Sequence, residues 1–177
     1  MHKSGASSSA KLIVMSPIGV LRTPFKHAAG TPVQGVSGRS AEGVVELHAE
    51  YVAGLRDLAG FERIWLIYFL DRASDVQMKV QPFMDTTARG VFATRSPVRP
   101  NHIGISVVRL LGIEENRLLV ADVDMLDLTP LLDIKPYVPA FDSFSPSLAG
   151  WYADKSPSGV VADDRFEAGS FDSEDSN

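Results

Sequence analysis

The stretch GVFATRSPVRPNHIG, Gly90 to Gly104, gathers residues suited to holding an anion. Four arginines (Arg89, Arg95, Arg99, Arg109) fall between Arg89 and Leu110 with no acid among them, in a chain whose formal net charge is −5. Scattered arginines ordinarily make a solvated basic face. Here Pro97 and Pro100 fix the backbone between Arg95 and Arg99, so the guanidinium groups are expected to be held and aimed. A carboxylate or phosphate is the partner such a fork fits. The second chemical stretch is DVDMLDLTPLLDIKPY, Asp122 to Tyr137, with Asp122, Asp124, Asp127 and Asp133 set among apolar residues. Taken singly these read as edge and turn carboxylates, with Asp127 capping a turn that Pro130 continues. Taken together, Asp127 and Thr129 would present acceptors and a hydroxyl at a strand end, opposite the arginine turn. A cleft with one positive and one negative wall suits a zwitterionic ligand.

Other chemistries lack their residues. The chain has no cysteine, which removes disulfides, thiolate metal sites and cysteine nucleophiles. His2, His27, His48 and His102 are too dispersed for ligand spacing, and no metal is expected. None of the 14 glycines forms G-x-G, so a Rossmann cofactor unit has no support, and neither a phosphate-binding P-loop nor G-x-S-x-G occurs.

The elements that must position these groups read mainly as strands. Lys11–Phe25 suggests a strand bent at Pro17, followed by a long Gly- and Ser-rich loop over Lys26–Gly43. Strands are expected near Val44–Leu47, across FERIWLIYFLDRA with Asp71 and Arg72 at its end, and at Arg89–Thr94, Ile103–Leu111, Arg117–Val123 and Leu131–Lys135. Apolar residues at 51, 52, 55 and 58 predict a helix over Tyr51–Leu58 that stops by Gly60. Many strands and one or two short helices predict a mainly β domain, a closed or partly closed β-barrel.

The expected division is a polar lead-in over 1–10, a barrel over 11–145, and an acidic tail over 146–177. From Trp151 to Asn177 seven acids stand against Lys155 and Arg165, which leaves the rest of the chain neutral. The composition of the tail suits disorder, but Phe144, Trp151, Tyr152 and Phe166 favour docking on the domain. The longest apolar run, IWLIYFL, is strand-sized, and MHKSGASSSA has no signal-peptide core. A cytoplasmic protein that is not in a membrane is expected. Overall acidity argues against broad nucleic-acid binding.

The blocks PIG…RTPF, GVFATRSPVRPNHIGISVVRL and DLTPLLDIKPYVPAFD resemble the signatures of the TsaA-like family, also called TrmO. The resemblance runs from Ile13 to Phe144. It implies a β-barrel methyltransferase that uses S-adenosylmethionine to methylate N6 of threonylcarbamoyladenosine beside the tRNA anticodon. It also implies a homodimer. Carried over by position, the cofactor contacts are Pro32, Val33 and Gln34, then Asp71 and Arg72, Arg95, Ile105, and Asp127, Leu128, Thr129 and Pro130. Candidates for tRNA contact are Arg89, Arg99, Asn101 and Lys135. The ureido-substituted nitrogen needs a proton acceptor, for which Asp127, Asp133 and Tyr137 are unranked candidates. This chain departs from the family pattern at Val33 (usually Arg), at Asp71-Arg72 (often His-Gln), at Leu128 (usually Gly) and at His102 (usually Pro). Longer members carry a further C-terminal domain where this chain has its acidic tail. Two other readings remain: a module that binds adenosylmethionine or a nucleotide without chemistry, and a methyltransferase acting on a small molecule.

Overall fold

Alternation of large aliphatic and smaller or polar residues builds the sheet. In RIWLIYF, Ile64, Leu66 and Tyr68 point inward while Trp65 and Ile67 face out, the two-residue period of a half-buried strand. The computed structural model describes residues 12–35, 40–145, 148–155 and 159–168. Six strands close an antiparallel barrel in the order β1 (Gly19–Arg22), β2 (Glu42–Leu47), β7 (Arg117–Ala121), β6 (Ile103–Glu114), β3 (Arg63–Phe69) and β8 (Thr129–Pro136), which returns to β1. Closure leaves no open sheet edge. The core inside it includes Leu21, Val45, Ile64, Leu66, Val108, Leu118, Val120 and Leu131, all almost fully buried.

A smaller unit carries the arginine turn. Strands β4 (Lys79–Val80) and β5 (Arg89–Gly90) pair outside the barrel. Val80, Val91 and Val98 form a second apolar cluster there with Phe166 from near the C-terminal end of the described chain, and Phe83 packs on it. Residues 159–168 run back along the protein. Pro32 bridges Val161 and Ala73 bridges Glu167 in antiparallel fashion. Phe144 has no such contact and is 80% exposed.

Several elements differ from the sequence expectation. The first strand is only Gly19–Arg22, and Leu12, Ile13 and Val14 before it are exposed. The segment Tyr51–Leu58 is not α-helical. It forms 3-10 turns at Ala49–Leu55 and Leu58–Gly60, broken where Asp57 takes a left-handed φ of 67°, and none of their residues is buried. Only Arg89 and Gly90 of the expected Arg89–Thr94 strand pair, and Val91–Ala93 then turns. The cause is Arg99, whose guanidinium donates to the carbonyls of Val91, Thr94 and Ser96 and so folds the chain around itself. β7 stops at Ala121 because Asp122 is left-handed at φ 68°. A short helix, α1 (Pro139–Asp142), follows β8. The lead-in expected over 1–10 lies outside the described residues, as do 146–147, 156–158 and 169–177 of the tail. Among the described residues no helix is long and apolar enough to cross a membrane. None of their His, Asp and Glu side chains cluster in threes to hold a metal.

Candidate functional site

Strands β3 and β6 run side by side with Tyr68 opposite Gly104 and Ile67 opposite Ile105. At this end of the pair a cavity of about 760 Å³ opens. That volume lies within the range of small-molecule sites. The loop Thr31–Gly35 forms one side, the turn Thr94–Pro97 another, and Leu70–Ala73 a third. Asp124, Met125, Leu126 and Thr129 close the barrel side, and Trp151, Tyr152 and Phe166 come from the C-terminal segment.

Inside this largely apolar space lies a chain of three polar side chains. The Ser106 hydroxyl donates to Asp124 Oδ1 at 2.6 Å. Its single proton is thereby used, so the Tyr68 hydroxyl, 2.9 Å away, donates to Ser106 Oγ. The other Asp124 oxygen accepts the Gly35 N–H at 2.8 Å, which ties the loop to the barrel. Burial pushes the Asp124 carboxyl above its usual range; the Ser106 and Gly35 hydrogen bonds and the charge of Arg95 oppose that shift. Burial, followed by the charge of Asp124, also pushes the Tyr68 phenol up, and it stays protonated at neutral pH.

Two glycines make this arrangement possible. A Cβ on Gly104 would lie 2.1 Å from Tyr68 Cε2, so only glycine leaves room for the ring. A Cβ on Gly35 would lie 2.1 Å from the Asp122 carbonyl oxygen, so only glycine brings its N–H to Asp124.

The four arginines, alike in sequence, have different occupations. Arg89 is paired with Asp85 at 2.7 Å and pulls that carboxyl below its usual range. Arg99 is spent on the three carbonyls of its own turn, and Arg109 binds Asp122 together with Arg63. Arg95 lines the cavity, where its Nη1 donates to Gln34 Oε1 at 2.5 Å. The positive wall is therefore Arg95 with Lys155 and with Arg72, which donates to the carbonyls of Lys26 and Asp127.

Of the positions named from sequence, Pro32, Val33, Gln34, Asp71, Arg72, Arg95, Arg99, Ile105 and Thr129 line the cavity. Asp127 does not. It is buried beneath the rim, where Oδ1 accepts the Thr23 N–H and Oδ2 meets the Lys26 ammonium. Burial alone would raise its pKa, but the Lys26 and Thr23 hydrogen bonds outweigh that and hold it below the usual range. Leu128 and Pro130 flank it, Leu128 at a left-handed φ of 66° that explains why glycine suits this position. Asp133 pairs with Lys135 at 2.7 Å, and Tyr137 packs against Trp65 with ring centres 5.8 Å apart. Asp133, Lys135 and Tyr137 all lie away from the cavity. Asn101 borders a shallower groove with Phe92 and Pro100. Nothing in the sequence pattern singles out Tyr68 or Ser106. Asp124 stands in the sequence only as one acid among four.

Known proteins share this architecture. The tRNA-methyltransferase O N-terminal domain matches residues 20–143. An S-adenosyl-L-methionine-binding protein of Archaeoglobus fulgidus is 42% identical over 132 residues, which cover 73% of this chain and 93% of that one. The tRNA (adenine(37)-N6)-methyltransferase of Escherichia coli is 34% identical over 155 residues, 82% of this chain and 66% of that one. The crystal structure of TrmO from Pseudomonas aeruginosa superposes with a TM-score of 0.68 at 38% identity, over 80% of this chain. The match spans 63% of that longer chain. With the family domain matching residues 20–143, more than half of this chain, and the barrel shared with a solved member, this chain belongs to the TrmO, or TsaA-like, family.

Proposed function

We propose that the cavity binds S-adenosylmethionine and that the protein transfers its methyl group to N6 of threonylcarbamoyladenosine in tRNA. The observation that carries this reading is the cavity itself, with Arg95 on one wall and Asp124 inside another. Arg95 suits the carboxylate of an amino-acid moiety, Asp124 or the exposed Asp71 suits its positive groups, and the apolar walls suit a nucleoside. The names of the Archaeoglobus and Escherichia coli relatives support the cofactor and the acceptor respectively.

When bound, the cofactor supplies a methyl group on sulfur that is open to in-line attack. The residues of this chain then serve by positioning. Gln34 holds the Arg95 guanidinium toward the cavity. Gly35 and Ser106 fix both oxygens of Asp124. Asp124 is a half-buried carboxylate that lines the cavity with both oxygens held in place, so it is the proton acceptor we place there, ahead of Asp127, Asp133 and Tyr137. For tRNA contact, Asn101 and Lys135 are exposed, whereas Arg89 and Arg99 act by holding the turn.

We also propose a homodimer. Ile103 and Ile105 line the cavity and continue outward to the exposed Phe92 and Phe69, an apolar strip that a second copy would cover. Sedimentation at micromolar concentration should give a dimer; a monomer that binds cofactor tightly would contradict this.

The test of function is incubation with methyl-labelled adenosylmethionine and tRNA carrying threonylcarbamoyladenosine. Label in that nucleoside, lost in Asp124→Asn, is expected. Cofactor binding with no transfer to any tRNA would leave a binding module or a small-molecule methyltransferase.

A further inference from the structure

The protons of the Tyr68, Ser106 and Asp124 side chains can be arranged in only one way. Tyr68 is 6% exposed, and its ring is wedged against Gly104, where a Cβ would lie 2.1 Å from Cε2. Its phenol meets Ser106 Oγ at 2.9 Å and no other acceptor among the described residues. A buried phenol left without an acceptor bears the cost of its desolvation, so its proton goes to Ser106. Ser106 is equally buried. With one lone pair filled by Tyr68, it turns its single proton to Asp124 Oδ1 at 2.6 Å, a length suited to a hydroxyl on an ionised carboxylate. The other Asp124 oxygen accepts the Gly35 N–H at 2.8 Å. Two donors therefore favour the charged form of Asp124.

Four elements face this carboxylate. They are β3 through Tyr68, β6 through Ser106, the Thr31–Gly35 loop through the Gly35 N–H, and the arginine turn through Arg95, whose charge also favours the ionised form. Burial is the larger influence and pushes the other way. The remaining charged groups at the cavity are turned elsewhere. Arg72 and Arg99 donate to carbonyls, Asp163 is bound to Arg165, and Glu167 accepts the Ala28 N–H. Asp71 and Lys155 are exposed. Burial pushes the Tyr152 phenol up, and it carries no charge at neutral pH.

We propose that Tyr68 and Ser106 are positioning residues for the reaction: Tyr68, acting through Ser106, aims the Ser106 proton at Asp124 and so keeps that carboxylate ionised and ready to take a proton from the cavity side. A carboxylate offers about four lone-pair sites, of which Ser106 and Gly35 fill two, so acceptor capacity remains toward the cavity. This rests on the reading of Asp124 as the proton acceptor and adds two residues that set its charge.

Carbon-13 NMR of the full chain, labelled at the aspartate carboxyls, follows Asp124 directly, its signal identified by its absence in Asp124→Asn. Ser106→Ala removes a charge-assisted hydrogen bond from the carboxylate and should raise its titration midpoint by about 1 pH unit or more. Tyr68→Phe removes only the polarisation of the Ser106 hydroxyl and should raise the midpoint by about 0.3 unit, in line with cooperative strengthening of roughly 10–30% per bond. The double variant Tyr68→Phe/Ser106→Ala should titrate with Ser106→Ala alone, because Tyr68 acts through Ser106. Methylation measured against pH should show its acid limb moving upward with these midpoints. A midpoint that stays with the parent in either single variant would overturn the inference. So would a Tyr68→Phe shift that persists when Ser106 is alanine. Midpoints that move as expected while the acid limb stays with the parent would instead overturn the reading of Asp124 as acceptor and, with it, the part of these residues in the reaction.

Discussion

Replacing Gly104 with alanine adds one methyl group at the tightest point of the site. That carbon would sit 2.1, 2.6 and 2.7 Å from three atoms of the Tyr68 ring. The ring cannot tilt away freely, because Tyr68 is 6% exposed and its strand neighbours are locked in register. Overpacking of this kind costs about 1–3 kcal/mol. Loss of the Tyr68–Ser106 hydrogen bond adds about 1 kcal/mol. A domain of this size loses about 2–4 °C in Tm per kcal/mol, so Gly104→Ala should melt roughly 4–16 °C lower. Gly54 is the control, since a Cβ there meets nothing within 4 Å. Gly54→Ala should be neutral or stabilising by up to about 1 kcal/mol. Tyr68→Phe keeps the ring and loses only the hydroxyl, so it should cost about 1 kcal/mol, and in that background Gly104→Ala should retain only its overpacking cost of about 1–3 kcal/mol. Thermal melts of the three variants decide the matter. Equal Tm for Gly104→Ala and Gly54→Ala would refute the packing on which the buried polar chain depends.

Leu128 occupies a left-handed position, so Leu128→Gly should hold stability or raise it by up to about 1 kcal/mol, whereas Leu128→Val should lower it by about 1 kcal/mol in denaturant unfolding. Asp124 titrates above the ordinary carboxylate value of 3.8 in the folded chain. Its protonated form is thus favoured by folding, and the strain of its ionised form is relieved as pH falls through that raised value. If the carboxylate receives the ligand's positive charge, adenosylmethionine affinity should fall over the same pH window, and calorimetry on Asp124→Asn should show a weaker but flatter profile. Asp127 has the opposite sign: the stability it supplies through Lys26 and Thr23 is present above 3.8 and lost as pH falls through its lowered value. Asp127→Asn should therefore cost stability at neutral pH and progressively less as pH falls below 3.8, as read by thermal melts.

The barrel was legible because its strands carry plain alternation, as in RIWLIYF, and because turn residues separate them. The 3-10 turns at Ala49–Leu55 and Leu58–Gly60 were not, since apolar spacing cannot report the left-handed Asp57 that breaks them. The arginine turn was visible as a concentration of charge. Its division of labour was hidden, because Asp85 and Asp122, which neutralise Arg89 and Arg109, lie outside the acid-free window and Arg99 binds carbonyls that every residue has. The Tyr68–Ser106–Asp124 chain joins residues 38 and 18 positions apart, each bland among its neighbours. Its one trace was Gly104 before Ile105-Ser106, a glycine inside a strand pattern, which marks a close approach. Asp124 and Asp127 looked alike in sequence, yet one lines the cavity and the other clamps Lys26 beneath it.

The central claim is that the cavity beside the arginine turn holds adenosylmethionine through Arg95. Calorimetric titration of the cofactor into the parent chain, Arg95→Ala and Arg109→Ala tests it most directly. The account predicts saturable binding by the parent, binding at least about tenfold weaker in Arg95→Ala from loss of a charge-assisted partner, and near-parent affinity in Arg109→Ala, whose guanidinium is committed to Asp122. No heat from the parent at millimolar cofactor, or equal losses in the two arginine variants, would contradict it.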